Sequence, residues 1–332
     1  MAARSGQKIK LLHIIDILRK YTDEEHPLSA NDICDKLSQV GVTAERKAIY
    51  DDIECLIDFG YDIIKTRTPK NGYFLGERDF EIPEIYLLSD AVRTAKFISA
   101  KKSRELISKL DEMLSNHHKR NKGIYINTEA KTQNEEIYYN IDAIGRAIEN
   151  RKKITLKYGV RSLLSGREIS VVYKERTVSP YAMTWQDDHY YLICNYDKYD
   201  NLLHLRIDRM KNVEESVEAI RPFSEVSQYT DAFDVADYTA KLFGMFSGDT
   251  EEVELCCSKK ILEQVADRFG ESIFITKLTD DTFSFTARAA VSQGLATWIM
   301  NYGSDIEVKK PEHLRAMILD RAEEIEKIYK KA

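Results

Sequence analysis

The sequence predicts a multidomain α+β protein built from four successive regions. The first region has helical spacing followed by a basic hairpin, the second has helical spacing alone, and the third changes to the alternation of β-strands. In the fourth, strands and helices follow the order βαββαβ with a final helix. We therefore predict a winged helix-turn-helix at residues 1–80, a helical linker at 81–150, a small bent sheet or barrel at 151–220 and a ferredoxin-like domain at 245–332.

The composition is that of a globular protein with more than one domain. The 332 residues suggest two or three domains, and a hydrophobic content of 43% is enough to form their cores. A net charge of -6 excludes a uniformly basic surface but leaves room for a local basic patch. No run approaches the ~20 apolar residues of a membrane span, and the N-terminus lacks the apolar stretch of a signal peptide. We therefore expect a cytoplasmic protein without membrane contact.

The five cysteines argue against structural disulfides and against zinc. Their number is odd and no two form a CxxC pair, so we expect neither a disulfide framework nor a metal site, in a reducing cytoplasm. The adjacent Cys256 and Cys257 are either a redox-sensing pair or, more simply, one thiol on each face of a strand. We predict no cofactor.

Three short helices are predicted at the start of the first region. Apolar residues repeat at helical spacing over residues 8–21. After Pro27, Ser29 and Asp32 have the spacing of a capping box, which begins a second helix. Thr43 is the predicted N-cap of a third helix, whose inner face is Ile49, Ile53 and Leu56 and which ends at Gly60.

The third helix and the hairpin after it present cations and an aromatic residue. Asn71-Gly72 lies between two β-prone runs, which is a strong hairpin signal. A helix N-terminus of this kind can enter the major groove, while hairpin cations meet phosphates. The alternative is a small helical domain with a solvated charged face. The predicted contacts to double-stranded DNA are Thr43, Arg46, Lys47, Tyr50, Lys65, Arg67 and Lys70.

The second region is predicted to be helical and to connect the two ends of the chain. Pro83 separates it from the hairpin, and leucines repeat every four residues at 106, 110 and 114. His117 and His118 fall in a polar loop as a solvated pair. Isoleucines at 137, 141, 144 and 148 then line one face of a further helix. These helices either pack within the chain or contribute to a dimer interface.

The third region is predicted to be β-structure rich in tyrosine. Five short strands are expected at residues 154–158, 168–178, 181–185, 190–196 and 202–207. His204 and Arg206 are two apart and so share one face of the last strand, with Arg209 close behind. Aromatic faces beside arginine suit stacked bases and phosphates. Alternatively, the tyrosines pack the sheet, and Arg206 and Arg209 pair with Asp208 or Glu214.

The fourth region is predicted to have a relay or dimerisation role. Its strands are expected at residues 252–256, 273–278, 282–289 and 306–308, and its helices at 260–269, 292–302 and 312–329. Trp298 fits a core position better than a site. The chain has no nucleotide-binding, nucleophile-elbow or HExxH motif, so we expect no enzymatic activity and no catalytic residues.

Several segments resemble the WYL-domain family of transcriptional regulators. Residues 188–210 resemble the core of the WYL domain, with Tyr190-Tyr191-Leu192 at the name-giving tripeptide and residues 205–210 at the arginine motif. Residues 46–53 resemble the recognition helix of the family's N-terminal domain, and 87–92 its linker. Similarity to the C-terminal extension lies at 267–270, Trp298 and 310–312.

The resemblance implies an Sm-like β-barrel that senses nucleic acid or a nucleotide-like anion, in a homodimer that binds DNA. Two functions remain open. The first is a ligand-responsive transcription factor; the second is an RNA- or single-strand-binding accessory protein that modulates a nucleic-acid enzyme through its barrel. The sequence reveals neither the operator, the effector, the dimer interface nor the direction of regulation. The predicted ligand residues are Tyr158, Tyr181, Tyr190, Tyr191, His204, Arg206 and Arg209.

Overall fold

The protein is a mixed α+β chain with three separate sheets among its described residues. The computed structural model describes residues 2–119, 131–163, 169–227, 229 and 233–330. The chain divides into two compact units, one ending at Gln133 and the other beginning at Asn134. None of the helices among the described residues is both long and apolar enough to cross a membrane.

The first unit contains helices and one two-stranded sheet. Its elements are α1 (Ala2–Tyr21), α2 (Ala30–Gln39), α3 (Arg46–Phe59), β1 (Ile63–Thr66), β2 (Gly72–Leu75), α4 (Ile82–Thr94) and α5 (Ala100–Asp111). The core between α1, α2 and α3 includes Ile14, Leu18, Ile33, Leu37 and Ile49, all with no exposed surface. The apolar spacing predicted from the sequence therefore faces inward.

The helix boundaries follow local hydrogen bonds, with one correction. Both bonds of the predicted capping box form, because the N–H of Asp32 donates to Ser29 Oγ and the N–H of Ser29 donates to Asp32 Oδ2. The prediction of Thr43 as N-cap of α3 is wrong. Glu45 occupies the cap without a side-chain bond, and α3 begins at Arg46. It ends at Gly60, which has a left-handed φ of 115°.

The hairpin β1–β2 is joined by a third short segment. Leu28 exchanges two backbone hydrogen bonds with Tyr73, with N···O distances of 2.9 and 2.8 Å. A Cβ atom on Gly72 would lie 2.7 Å from the carbonyl carbon of Leu28, so this position requires glycine. The hairpin predicted from Asn71-Gly72 is confirmed. Gly72 is required there for a further reason, the close approach of its backbone to Leu28.

The helical region predicted after Pro83 begins with two helices, α4 and α5. Pro83 lies in the first turn of α4, where a missing N–H costs nothing. After α4, the ammonium of Lys131 donates to the carbonyls of Val92, Ala95 and Ile98 at 3.2, 2.8 and 3.4 Å. Burial lowers the pKa of Lys131. The Lys131 ammonium thus provides the hydrogen bonds that these carbonyls lack at the end of α4. The chain can therefore turn between α4 and α5.

In the second unit, one helix packs on a five-stranded antiparallel sheet. The elements are α6 (Ile137–Glu149), β3 (Lys152–Leu163), β4 (Ile169–Gln186), β5 (His189–Asn195), β6 (Leu202–Arg206) and β7 (Met210–Ala219). The strand order is β6-β5-β4-β3-β7, so β6 and β7 are edges and no pairing among described residues closes a barrel.

The sheet has five strands, the number predicted, but two of the predicted strands are one and the fifth strand was not predicted. The strands predicted at 168–178 and 181–185 are one strand, β4, although residue 168 itself lies outside the described residues. A bulge beside Pro180 lets the strand continue. The unpredicted strand is β7. Most of its residues are exposed and polar, because it is an edge strand.

The last sheet has the predicted succession of elements. After α7 (Val235–Ala240), which was not predicted, these are β8 (Thr250–Ser258), α8 (Leu262–Phe269), β9 (Ile275–Leu278), β10 (Thr282–Ala290), α9 (Gln293–Met300), β11 (Ile306–Lys310) and α10 (Glu312–Lys330). The sheet is antiparallel in the order β11-β8-β10-β9. Trp298 packs against its core beside Phe243 and Phe269, which confirms its predicted core role.

Candidate nucleic-acid interface and ligand site

The N-terminal turn of α3 presents exposed cations. Arg46 and Lys47 are exposed, while Ile49 and Ile53 on the opposite side are buried. The Nε of Arg46 donates to the hydroxyl of Tyr50 at 2.9 Å, and its guanidinium lies 5.8 Å from the Tyr50 ring centroid. These cations add to the positive end of the helix dipole, so this turn attracts anions.

Acidic residues farther along α3 confine the positive charge to its first turn. Asp51 and Glu54 are exposed. Asp52 is instead paired with Lys10 of α1 at 2.6 Å, with both side chains at most 15% exposed. This pair fixes α3 against α1 and thereby the direction in which Arg46 and Lys47 point.

The hairpin adds three exposed cations that differ in their availability. Lys70 is paired with Asp32 at 3.2 Å, and Lys65 lies 5.7 Å from the ring of Tyr73. Arg67 contacts no carboxylate within the described part of the chain. Thr43 is exposed in the segment before α3. The predicted DNA contacts thus all belong to one unit, with Lys47 and Arg67 the least engaged by other side chains.

Tyr191 and Arg206 form the centre of the candidate ligand site. They are paired directly across β5 and β6, so their side chains share one face. Burial raises the pKa of Tyr191, and the positive charges of Arg206 and Arg209 act against that change. Both positive charges therefore favour a negative charge at the Tyr191 hydroxyl.

The two arginines have different partners. Arg206 donates to both oxygens of Asp208, at 3.0 Å from Nε and 2.7 Å from a terminal nitrogen. The side chain of Arg206 is 19% exposed and that of Asp208 is 8% exposed. The guanidinium of Arg209 has no carboxylate partner in the ranges that the structure describes. Arg209 is therefore the cation that an incoming anion meets without competition.

Tyr158, a predicted ligand residue, adjoins Arg206, and two cation–aromatic pairs in the same sheet were not predicted. The hydroxyl of Tyr158 accepts a hydrogen bond from the backbone N–H of Arg206 at 3.3 Å. The guanidinium of Arg176 lies 5.0 Å from the Tyr158 ring centroid. Similarly, the ammonium of Lys211 lies 5.0 Å from the ring of Tyr173. Both pairs depend on strand register, which no local sequence signal discloses.

Two other predicted ligand residues, His204 and Tyr181, are held by hydrogen bonds to other parts of the second unit. Both ring nitrogens of His204 are occupied, by the carbonyl of Met245 at 2.8 Å and the hydroxyl of Tyr238 at 2.9 Å. Burial lowers the pKa of His204 to about 4. Tyr181 donates to the carbonyl of Arg221 at 2.8 Å and packs on Phe223.

Tyr190 is adjacent to Tyr191 in β5 and therefore points to the opposite face of the sheet. The structure thus brings together Tyr158, Tyr191, Arg206 and Arg209 of the predicted set. His204 shares a face with Arg206, but both of its ring nitrogens are occupied.

Comparison with known proteins identifies two domains in the second unit. The WYL domain family model matches residues 139–215, and the WCX domain model matches residues 249–325. No curated protein matches the sequence. One similar solved structure is proteasome accessory factor B/C (PafBC) of Arthrobacter aurescens, with 16% identity, a TM-score of 0.28, and coverage of 94% of this chain and 47% of that chain. The chain thus spans about half the length of that protein. The chain thus contains a WYL domain followed by a WCX domain.

Proposed function

We propose that this protein is a DNA-binding transcriptional regulator whose WYL domain senses an anionic effector. In this proposal, residues 1–80 are a winged helix-turn-helix that binds double-stranded DNA, and residues 81–150 are a helical linker. Residues 151–220 are the ligand-sensing Sm-like barrel, and 245–332 are a ferredoxin-like extension. The protein acts as a cytoplasmic homodimer without enzymatic activity.

The observation that supports DNA binding best is the surface of α3 and the hairpin. Arg46 and Lys47 are exposed at the start of a helix whose other side is held in a core. Lys65, Arg67 and Lys70 are exposed on the adjacent hairpin. In such a domain the helix N-terminus reads base edges and the hairpin contacts phosphates, which add affinity without sequence information.

The support for an anionic effector is the group of Tyr191, Arg206 and Arg209. A guanidinium binds phosphate with two parallel hydrogen bonds, and a tyrosine ring offers a stacking surface for a base. We propose nucleic acid or a nucleotide-like anion as the effector. In a homodimer its binding changes the spacing of the two recognition helices, which must match half-sites about 34–36 Å apart or a multiple of that distance.

The test is a binding assay with the full chain and a duplex from the region upstream of its own gene. We expect a mobility shift that survives an excess of single-stranded competitor. Lys47→Ala should weaken duplex binding, and Arg67→Ala, which removes an exposed hairpin cation, should lower the slope of log affinity against log salt by about 0.9, the value for one lost phosphate contact. Lys101→Ala, an exposed lysine of α5, is the matched control and should leave binding unchanged.

Two results would contradict the proposal. Equal duplex affinity of Lys47→Ala and the unmodified chain would remove α3 from the interface. Binding that single-stranded competitor abolishes would favour the second function, a single-strand- or RNA-binding accessory protein that works through the WYL domain. The aromatic residues beside Arg206 and Arg209 are the feature that favours this second function.

A further inference from the structure

A carboxylate and three imidazoles meet within the first unit. Asp23 and His26 follow α1, and His117 and His118 follow α5. The rings of His26 and His117 are stacked, with centroids 3.7 Å apart and planes 2° from parallel. One potential ligand atom from each of Asp23, His26 and His117 lies within 4.8 Å of the others. We propose that His26 and His117 bind a divalent metal ion of the zinc class, with Asp23 orienting the ring of His26.

The two segments are brought together by contacts that involve no metal. The hydroxyl of Ser115 donates to Asp23 Oδ2 at 2.9 Å, and the backbone N–H of Asn116 donates to the carbonyl of Lys20 at 2.8 Å. The hydroxyl of Tyr86 donates to the carbonyl of His118 at 2.7 Å. The protein therefore holds the two segments together before any ion arrives, which lowers the cost of ordering them on binding.

Asp23 acts as an orienting group instead of a ligand. Its Oδ1 accepts the backbone N–H groups of Glu25 and His26 at 3.1 and 2.9 Å, and it lies 2.6 Å from His26 Nδ1. Its Oδ2 accepts from Ser115 and lies 3.3 Å from His118 Nδ1. With Nδ1 of His26 held by the carboxylate, Nε2 is the nitrogen left for an ion. Carboxylate–histidine pairs of this kind commonly orient metal ligands.

His117 must turn to complete the site. Two parallel rings cannot both direct a nitrogen lone pair at one ion, because zinc lies about 2.0–2.1 Å from each nitrogen in or near the ring plane. His117 is exposed and so can rotate, whereas Asp23 holds His26. A cavity of about 340 Å³, lined in part by Tyr21, Pro27 and Pro69, adjoins the pair and has room for water ligands.

The donor set selects the class of ion. Imidazole nitrogens suit zinc, copper, nickel and iron, whereas magnesium and calcium require oxygen ligands. This inference differs from the expectation of no metal, which was based on cysteine spacing. A bound ion would link the turn that leads into α2 to the turn after α5.

The experiment is a competitive Zn²⁺ titration of the untagged full chain against a chromophoric chelator. We expect one ion per chain, with affinity at least tenfold weaker in His117→Ala and in His26→Gln, and about tenfold weaker in Asp23→Asn. Excess Mg²⁺ should not compete. His313→Ala is the matched control, since His313 is an exposed histidine paired with Glu251 in the other unit.

His117 is exposed, so His117→Ala should not disturb folding. The circular dichroism spectrum of this variant should equal that of the unmodified chain. Absorption of the Co²⁺-loaded chain provides a second measurement, and no thiolate-to-metal charge-transfer band is expected. Unchanged Zn²⁺ affinity in both histidine variants would overturn the proposal. Loss of binding in Cys55→Ser, an exposed cysteine, would also overturn it.

Discussion

Removing Arg206 should destabilise the second unit, because it leaves a charge unpaired. Arg206 binds Asp208 through two hydrogen bonds, and the side chain of Asp208 is only 8% exposed. Loss of one partner of a buried pair costs about 3–5 kcal/mol. Since Arg206 is 19% exposed, water reaches part of the pair, and we expect Arg206→Ala to lower the free energy of unfolding by about 3 kcal/mol.

The double variant Arg206→Ala/Asp208→Ala separates the unpaired charge from the loss of packing. It should be more stable than Arg206→Ala, because no carboxylate is left buried without a partner. We expect a coupling energy of at least about 1 kcal/mol in the double-mutant cycle.

Urea unfolding followed by tryptophan fluorescence measures these values. Trp185 and Trp298 are the two tryptophans of the chain, and both lie after residue 134, so the signal reports on the second unit. A coupling energy below about 0.5 kcal/mol would refute the reasoning, since that is the range found for independent sites.

Three further predictions concern other parts of the molecule. Gly72→Ala should destabilise the first unit by about 2 kcal/mol, since its Cβ would break both Leu28–Tyr73 hydrogen bonds at about 1 kcal/mol each. Gly145→Ala in α6, whose Cβ would lie 4.0 Å from Met183 of β4, should be neutral or stabilising; urea unfolding followed by far-UV circular dichroism, which reports on both units, measures the two variants, and equal losses would contradict the steric argument. Arg209→Ala should weaken binding of a short single-stranded oligothymidylate about tenfold in fluorescence anisotropy, with a stability change below about 0.5 kcal/mol, whereas exposed Arg161→Ala should not affect binding. His204, with its pKa lowered from 6.5 to about 4 by burial, should make stability fall by up to about 3 kcal/mol as the pH drops from 6.5 to 4, because only the unfolded chain takes up the proton there. His204→Gln should remove that pH dependence, and an unchanged slope in this variant would exclude His204 as its source.

Features that depend on neighbouring residues were predictable from the sequence. The bonds between Ser29 and Asp32 form within one helical turn, so their spacing was sufficient. The buried positions of α3 likewise followed from helical period. Thr43 failed as an N-cap because several residues near a helix start compete for the cap, and tertiary packing decides among them.

Features set by strand register were beyond the sequence. His204 and Arg206 share a face, as their spacing required. Their surroundings nevertheless differ, since His204 is enclosed by Met245 and Tyr238 while Arg206 meets Asp208. The contact of Arg176 with Tyr158 joins different strands and depends on pairing that the local pattern does not specify.

The pairing of Arg206 with Asp208 has a consequence for the proposed effector response. An anion that binds Arg206 through Nε and Nη2 must displace the carboxylate of Asp208, which belongs to the short turn between β6 and β7. The backbone of this turn is held by Asn134, whose side-chain amide donates to the carbonyls of Asp208 and Met210 at 3.1 and 2.7 Å. Asn134 is the first residue of the second unit. Displacement of Asp208 therefore acts on the point where the chain enters from the first unit, whereas an anion bound by Arg209 alone leaves that contact undisturbed.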